Sequence, residues 1–122
     1  MKSFGIIFLL TLSTLAFAAD EEPSPFNCVE KVVAMYAPST NWKDLSKYFD
    51  GHLGFIFGSL KTGKLEEAGP FLNKEKQPEG GFMVTSLTDR KEAEDLFKQD
   101  PFVANDVVKV EYKTWNNCKL KN

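Results

Sequence analysis

The chain has 122 residues, of which 43% are hydrophobic, 26% charged and 13% aromatic, a composition typical of one globular domain rather than of a disordered or fibrous protein. Fifteen Lys and Arg residues stand against seventeen Asp and Glu residues, and the formal net charge is −2. This balance offers no basic surface for a phosphate backbone, so we expect no nucleic acid among its partners.

The N-terminal residues have the pattern of an export signal. Lys2 supplies a positive start, an almost unbroken apolar run covers residues 4–15, and Ala16–Ala18 has the small-x-small pattern of a cleavage site. The run is shorter than the roughly 20 residues of a transmembrane helix. We predict a signal peptide over residues 1–18, then a linker over 19–27, and an exported protein, periplasmic or secreted, without a stable membrane anchor. The alternative is an uncleaved helix that tethers the chain to a membrane.

Two cysteines, Cys28 and Cys118, lie near the two ends of the exported part. Disulfides persist in exported proteins, so we predict a bridge that closes a domain over residues 28–118 and leaves a tail over 119–122. Two free, unrelated thiols are the alternative. A zinc site wants about four ligands, and one histidine with two distant cysteines does not supply them, so we expect no metal.

The first predicted strand covers residues 28–36. Its alternate positions are apolar on both faces, from Val32 to Tyr36, which is typical of a strand inside a sheet.

An amphipathic helix is predicted next, because apolar residues recur at spacings of three and four. These residues are Trp42, Leu45, Phe49, Leu53, Ile56 and Leu60. Glycine costs about 1 kcal/mol against alanine inside a helix, so Gly51 predicts a break near Asp50 and a new start at His52.

The middle of the chain contains two further strands. Gly63 ends the helix, and residues 64–68 form a short second strand that runs into a turn at Gly69–Pro70. A polar loop follows over residues 73–81. Residues 82–87 form a third strand that is again apolar on both faces.

The last elements are a helix and a strand. Thr88 or Asp89 caps the helix, which extends to about Lys98, and Asp100–Pro101 ends it. Residues 107–115 alternate between apolar and charged side chains, as expected of an edge strand with one wet face.

The element order is therefore βαββαβ, the ferredoxin-like split βαβ arrangement of the α+β class, in which the first and third strands are central. The first and fourth strands are then neighbours, which brings Cys28 and Cys118 together. Both helices cover one face of the sheet. The opposite, apolar face would be exposed in a monomer, so we predict a homodimer.

A set of short motifs resembles a known family, the YCII-related proteins, over about residues 29–115. In chain order the motifs are His52–Leu53, Gly63, Gly69–Pro70, Gly81–Phe82, Glu92–Ala93–Glu94 and Asp100–Pro101–Phe102. This resemblance implies a dimeric α/β-barrel fold, which agrees with the order of elements.

The resemblance also implies a functional site. Family members are generally thought to use a His and an Asp as a catalytic pair; the His corresponds to His52 and the Asp best to Asp100, while Gly69–Pro70 would line the same pocket. The fold is shared with small-molecule isomerases, dehydrochlorinases and monooxygenases. The signal peptide and the cysteine pair depart from the usual cytoplasmic member and leave the substrate open.

The residues themselves give His52 a clear candidate role. It is the single histidine, it lies on the flank of the helix's apolar stripe, and histidine gains and loses a proton near neutral pH. A carboxylate in hydrogen-bond reach would orient its ring. Asp100 is the candidate for that carboxylate, and Asp50 is the local rival.

Each of these residues also has a purely structural interpretation. His52 would be a packed helix histidine, Asp100 would start a turn before Pro101, and Gly69–Pro70 would only end a strand. The phenylalanines are expected to be core residues for the most part, with Phe102 kept as a pocket wall because it follows Asp100. The ones considered as pocket residues are Phe55, Phe57, Phe71, Phe82 and Phe102.

The first functional hypothesis is a small exported enzyme that uses His52 and Asp100 for proton transfer, of isomerase or lyase type, on a small organic molecule. This type of reaction needs no cofactor, so we expect none, and no Gly-rich phosphate loop that would bind a nucleotide follows a strand. The alternative is a non-catalytic module of the cell envelope that binds a small ligand or a partner protein. A purely structural protein, the third hypothesis, would have no ligand-sized pocket near His52.

Overall fold

Residues 24–122 are described by a computed structural model. They divide into two compact units, one of residues 28–117 and one that includes residues 24–27 and 118–122. In the smaller unit, the amide of Lys121 donates to the carbonyl oxygen of Pro25 at 2.8 Å. The predicted signal peptide and residues 19–23 of the predicted linker lie outside the described residues.

A four-stranded sheet with helices packed on it forms the fold. Its strands are β1 (Phe26–Pro38), β2 (Leu65–Leu72), β3 (Pro78–Thr85) and β4 (Val108–Leu120), in the order β2-β3-β1-β4. The helices are α1 (Leu45–Lys61), α2 (Arg90–Phe97) and the single turn α3 (Pro101–Ala104), and a 3₁₀ turn (Trp42–Asp44) precedes α1.

This architecture confirms the predicted ferredoxin-like α+β fold. The strands β1 and β3 lie in the middle of the sheet and pair antiparallel, with Val33 opposite Val84 and Tyr36 opposite Gly81. Strand β4 is at an edge, as its alternating pattern predicts, although it extends five residues beyond the predicted end at Trp115.

The core lies between the sheet and the helices. Side chains that share one face of β1 and β3, such as Ala34 and Met83, pack against Ile56 of α1 and Phe97 of α2. Within residues 24–122, every buried side-chain nitrogen and oxygen has a hydrogen-bond partner, which agrees with the cost of burying an unpaired polar group.

Helix α1 is continuous through Gly51, so the predicted break near Asp50 is wrong. The seventeen-residue helix runs from Leu45 to Lys61, because its apolar face packs on the sheet and that burial outweighs the low helix propensity of glycine. Gly63 follows the helix at φ +82, in the left-handed region that glycine adopts most easily.

The predicted turn at Gly69–Pro70 is also wrong, since both residues lie inside β2. Gly69 pairs with Phe82 and Pro70 pairs with Gly81. A proline is tolerated there because β2 is an edge strand, where one row of amide groups needs no partner in the sheet.

The polar loop is shorter than predicted, because β3 already begins at Pro78. Its turn is closed by Asn73, whose Oδ1 accepts from the amides of Glu75 and Gln77 at 2.9 Å each.

Helix α2 begins where the sequence predicts, with the Asp89 side chain accepting from the amide of Lys91. The segment Asp100–Pro101 follows its end, as expected, and then starts α3 with Asp100 as the N-cap and Pro101 in the first turn. Asp followed by Pro is a favourable start for a helix, so the pair both ends α2 and begins α3.

The face of the sheet away from the helices is apolar in its middle. Met35 lies opposite Phe82, and the ring of Phe71 lies 6.4 Å from that of Phe82. Phe71 is 45% exposed and Phe57, on α1, is 64% exposed, so these two rings are exceptions to the expectation that most of the phenylalanines are core residues.

Cys28 and Cys118 are both disulfide-bonded, as the sequence predicts. No helix between residues 24 and 122 is long and apolar enough to cross a membrane.

Candidate active site

His52 lies on α1 between the helix and the sheet, with a side chain that is 16% exposed. Its ring stacks on Phe102, with the ring centroids 4.0 Å apart and the planes at 3°. Phe102 belongs to α3, and its stacked ring holds the imidazole plane in one orientation.

Asp100 is fully buried and lies behind His52. His52 Nδ1 is 3.0 Å from Oδ1 and 2.9 Å from Oδ2 of this carboxyl group. The amide of Phe102 donates to Oδ1 at 3.0 Å, and the hydroxyl of Tyr36 donates to Oδ2 at 2.6 Å. The N-cap position of Asp100 and its contact with His52 therefore coexist, and the structural interpretation of this residue does not compete with the functional one.

Tyr36 is the member of this network that sequence reasoning missed. Its burial, together with the neighbouring Asp100, raises the pKa of the Tyr36 hydroxyl, so the phenol stays protonated and remains a hydrogen-bond donor. The only sequence signal is its place on the helix-facing side of β1, which does not distinguish it from an ordinary core tyrosine.

A close approach of α1 to α3 brings His52 and Asp100 together. A Cβ atom at Gly51 would lie 2.9 Å from Cγ of Pro101, closer than real Cβ contacts. Glycine at this position lets Pro101 pack directly on the helix backbone. His52 follows Gly51 and Asp100 precedes Pro101, so this contact brings the two side chains within hydrogen-bond distance.

A cavity of about 340 Å³ opens in front of His52, a volume in the range of small-ligand sites. Gly69, Pro70 and Phe102, the three residues predicted as pocket residues, all line it. Asp100 does not line the cavity and lies behind the imidazole. A ligand-sized cavity beside His52 contradicts the hypothesis of a purely structural protein without a pocket.

The second ring nitrogen of His52, Nε2, is available to a ligand. Nδ1 is engaged with Asp100, and within the described chain no residue hydrogen-bonds to Nε2. No buried side-chain nitrogen in this part of the chain lacks a partner, so Nε2 is accessible. His52 lines the cavity, and Nε2 is the ring nitrogen left for a ligand there.

The choice between Asp100 and Asp50 is also decided by the geometry. Asp50 is exposed on the outer side of α1, as its position two residues before His52 implies, whereas Asp100 contacts the imidazole. No group of three or more His, Cys, Asp or Glu side chains that would hold a metal ion occurs in residues 24–122.

Comparisons with known proteins agree with this fold. A family model described as the YCII-related domain matches residues 29–116. A search of curated proteins finds no match.

Among solved structures, the chain is similar to 5-chloro-2-hydroxyhydroquinone dehydrochlorinase from Burkholderia phenoliruptrix AC1100, in complex with 2,5-dihydroxybenzoquinone. The TM-score is 0.55 and the sequence identity 18%, and the match covers 69% of this chain and 92% of that one. This similarity establishes the shared fold.

Proposed function

The chain belongs to the YCII-related domain family, and on that premise we propose that it is a cofactor-independent enzyme in which His52 and Asp100 transfer a proton on a small organic molecule. The observation that carries the proposal is the orientation of one imidazole. Its Nδ1 is 2.9 Å from a buried carboxylate oxygen, and the ring itself lines a cavity of about 340 Å³.

The buried carboxylate determines which nitrogen acts as the base. Asp100 accepts hydrogen bonds from Tyr36 and Phe102, and its contact with His52 favours the tautomer that carries the hydrogen on Nδ1. The lone pair of Nε2 then points to the substrate.

The proposed reaction begins when Nε2 takes a proton from a C–H or O–H group of the substrate. The broken bond leaves its electron pair on the substrate, and a new N–H bond forms at Nε2. The positive imidazolium is stabilised by Asp100. Return of the proton to a different atom gives isomerisation, whereas departure of a leaving group with an electron pair gives elimination.

The structural neighbour supports a small organic substrate for this fold. That protein is named as a dehydrochlorinase and holds a ring compound, so the same fold accommodates elimination chemistry on a small molecule. The cavity beside His52 is of a size for such a molecule.

The second candidate function is a binding module that holds a ligand without turning it over. The apolar cavity favours it as much as it favours an enzyme, because burial of an apolar ligand needs no acid or base. The two functions differ in what they require of His52: proton transfer needs the imidazole, whereas ligand burial tolerates its replacement.

Proton exchange with solvent tests this difference. We would incubate a panel of carbon acids (lactones, ketones, hydroxylated and halogenated rings) with the protein in D₂O and follow loss of C–H signals by NMR. The enzyme proposal expects catalysed exchange of at least one compound, its loss in His52→Gln, and its retention in Asp50→Asn. A ligand that binds but does not exchange would establish the binding module instead.

We further propose that residues 1–18 are a cleaved signal peptide, that residues 28–118 are the exported domain, and that the protein acts as a homodimer outside the cytoplasm. The disulfide supports export, because disulfides persist in oxidising compartments. Sequencing the N-terminus of the protein from its native cells tests export, with Ala19 as the expected first residue.

A further inference from the structure

The cavity beside His52 is lined almost entirely by apolar residues. Among the residues of the described chain that line it, only Tyr36, Trp42 and His52 have a polar side-chain atom, and none carries a permanent charge. The rest are aliphatic, aromatic, methionine, glycine or proline residues. The hydroxyl of Tyr36 is already donated to Asp100.

An anionic ligand would lose its hydration in this cavity without gaining a cationic partner. Burying an ionised carboxylate is costly unless a cation and hydrogen-bond donors replace the water. No lysine or arginine of residues 24–122 lines the cavity. The nearest fixed charge behind the imidazole is Asp100, which is itself negative and repels a second anion.

Protonation of His52 does not remove this obstacle. An imidazolium here is paired with Asp100 at 2.9 Å, so the pair as a whole carries no net positive charge. An anion that bound to the protonated ring would also occupy the nitrogen that must accept the substrate's proton. A productive complex therefore requires an unprotonated Nε2.

We propose that this cavity selects an uncharged substrate with an apolar body and one acidic hydrogen directed at Nε2 of His52, and that it discriminates against carboxylates and other anions. The inference rests on the proposed acid–base function and specifies its substrate class. The single free acceptor fixes the orientation of the substrate, and the apolar walls supply the affinity by burying its hydrophobic surface.

Three probes with the same ring system separate charge from hydrogen bonding. At pH 7 2-naphthol is an uncharged donor, naphthalene has no donor, and 2-naphthoate is ionised. Fluorescence titration of the full chain should show 2-naphthol binding at least about 30-fold more tightly than 2-naphthoate and about 5- to 10-fold more tightly than naphthalene.

Two variants assign these differences to their causes. His52→Phe removes the acceptor and should make the affinities for 2-naphthol and naphthalene equal. Phe49 lines the same cavity, with its ring centroid 6.5 Å from that of His52. Phe49→Lys should therefore improve 2-naphthoate binding about tenfold or more relative to Phe49→Gln, its uncharged control, while circular dichroism confirms folding.

Equal affinities for 2-naphthol and 2-naphthoate would overturn the inference, as would the absence of 2-naphthol binding or equal 2-naphthoate binding by the two Phe49 variants. Failure of the proposed function gives a different result. Charge selectivity would then persist, but no carbon acid would exchange its proton in D₂O.

Discussion

The carboxyl group of Asp100 connects the sequence of one short segment to the chemistry of the site. It is fully buried, and its oxygens contact Tyr36, Phe102 and His52. A buried carboxylate is stable only when donors surround it, and here the donors come from three different elements. The contact with His52 engages Nδ1 and leaves Nε2 for a ligand.

We expect Asp100→Asn to impair both chemistry and stability. The amide does not stabilise an imidazolium as a carboxylate does, so the catalysed exchange should fall by about 10²- to 10⁴-fold. One or more of the donors would lose its acceptor, which should lower the free energy of unfolding by about 1–3 kcal/mol. The measurements are NMR exchange in D₂O and urea denaturation.

Asp50→Asn is the matched control, because Asp50 lies two residues before His52 on α1 and is exposed. It should change neither quantity appreciably. If both variants exchange protons as fast as the wild type, Asp100 has no part in the chemistry.

The phenol of Tyr36 makes the stability of the fold sensitive to high pH. Burial, and then the proximity of Asp100, raise its pKa above that of the unfolded chain. Its stabilising contribution is therefore complete below about pH 10, the pKa of a free tyrosine, and decreases above it. Relative to Tyr36→Phe, the wild type should lose about 1.4 kcal/mol of unfolding free energy per pH unit above 10.

Urea denaturation of both proteins between pH 8 and 11.5 measures this difference. Tyr112 is present in both and its pKa is also raised by partial burial, so its titration cancels in the comparison. Tyr112→Phe serves as the control and should alter the pH dependence less than Tyr36→Phe does. Parallel curves for the wild type and Tyr36→Phe above pH 10 would contradict the prediction.

At the scale of elements, the contact between α1 and α3 is the one that assembles the site. Two glycines of α1 have different surroundings. A Cβ at Gly51 would meet Cγ of Pro101 at 2.9 Å, whereas a Cβ at Gly54 would have no heavy atom within 4 Å. The first glycine serves a close packing contact, and the second faces open space.

Alanine at these two positions should therefore have opposite effects. Gly54→Ala should raise the free energy of unfolding by about 0.5–1 kcal/mol through helix propensity. Gly51→Ala should be about 1–3 kcal/mol less stable than Gly54→Ala because Pro101 must move, and it should slow the catalysed exchange. Urea denaturation and NMR exchange test both variants. Equal free energies of unfolding would show that α3 shifts to accommodate the added methyl group without loss of stability, which would contradict the prediction.

Most of the strands and helices can be predicted from sequence patterns. Periodicity predicts the strands and helices because alternation and helical spacing report which side chains are buried. The wrong predictions are those made from local propensity: it indicates a break at Gly51 and a turn at Gly69–Pro70, but the packing of α1 and the edge position of β2 permit regular structure there. These two outcomes depend on neighbours that are distant in the chain.

The candidate site divides in the same way. The family resemblance predicts the pair of His52 and Asp100, and the position of Phe102 shortly after Asp100 predicts a pocket wall. Tyr36 and Gly51 carry no local signal, because a buried tyrosine on a strand and a glycine in a helix have many structural explanations. Only the packing of three elements around Asp100 reveals what they do.

At the scale of the whole molecule, the sheet face opposite the helices provides the surface for the proposed homodimer. Met35 and Phe82 lie on it as opposite neighbours, and the half-exposed ring of Phe71 lies beside Phe82. The adjoining strand β4 contributes charged side chains such as Lys109 and Glu111. An apolar centre beside a charged margin is the composition of many protein interfaces.

Phe71→Glu should therefore weaken the dimer. A phenylalanine buried at an interface contributes roughly 2 kcal/mol, and a two-fold interface contains each residue twice. The dimer dissociation constant should rise by about three orders of magnitude. Phe57→Glu is the control, because Phe57 is also exposed but lies on α1 beside the cavity, and it should leave the dimer intact. Size-exclusion chromatography with light scattering over a range of concentrations measures the dimer dissociation constant of each variant. A dimer that survives Phe71→Glu but not Phe57→Glu would place the interface on the helical side of the molecule.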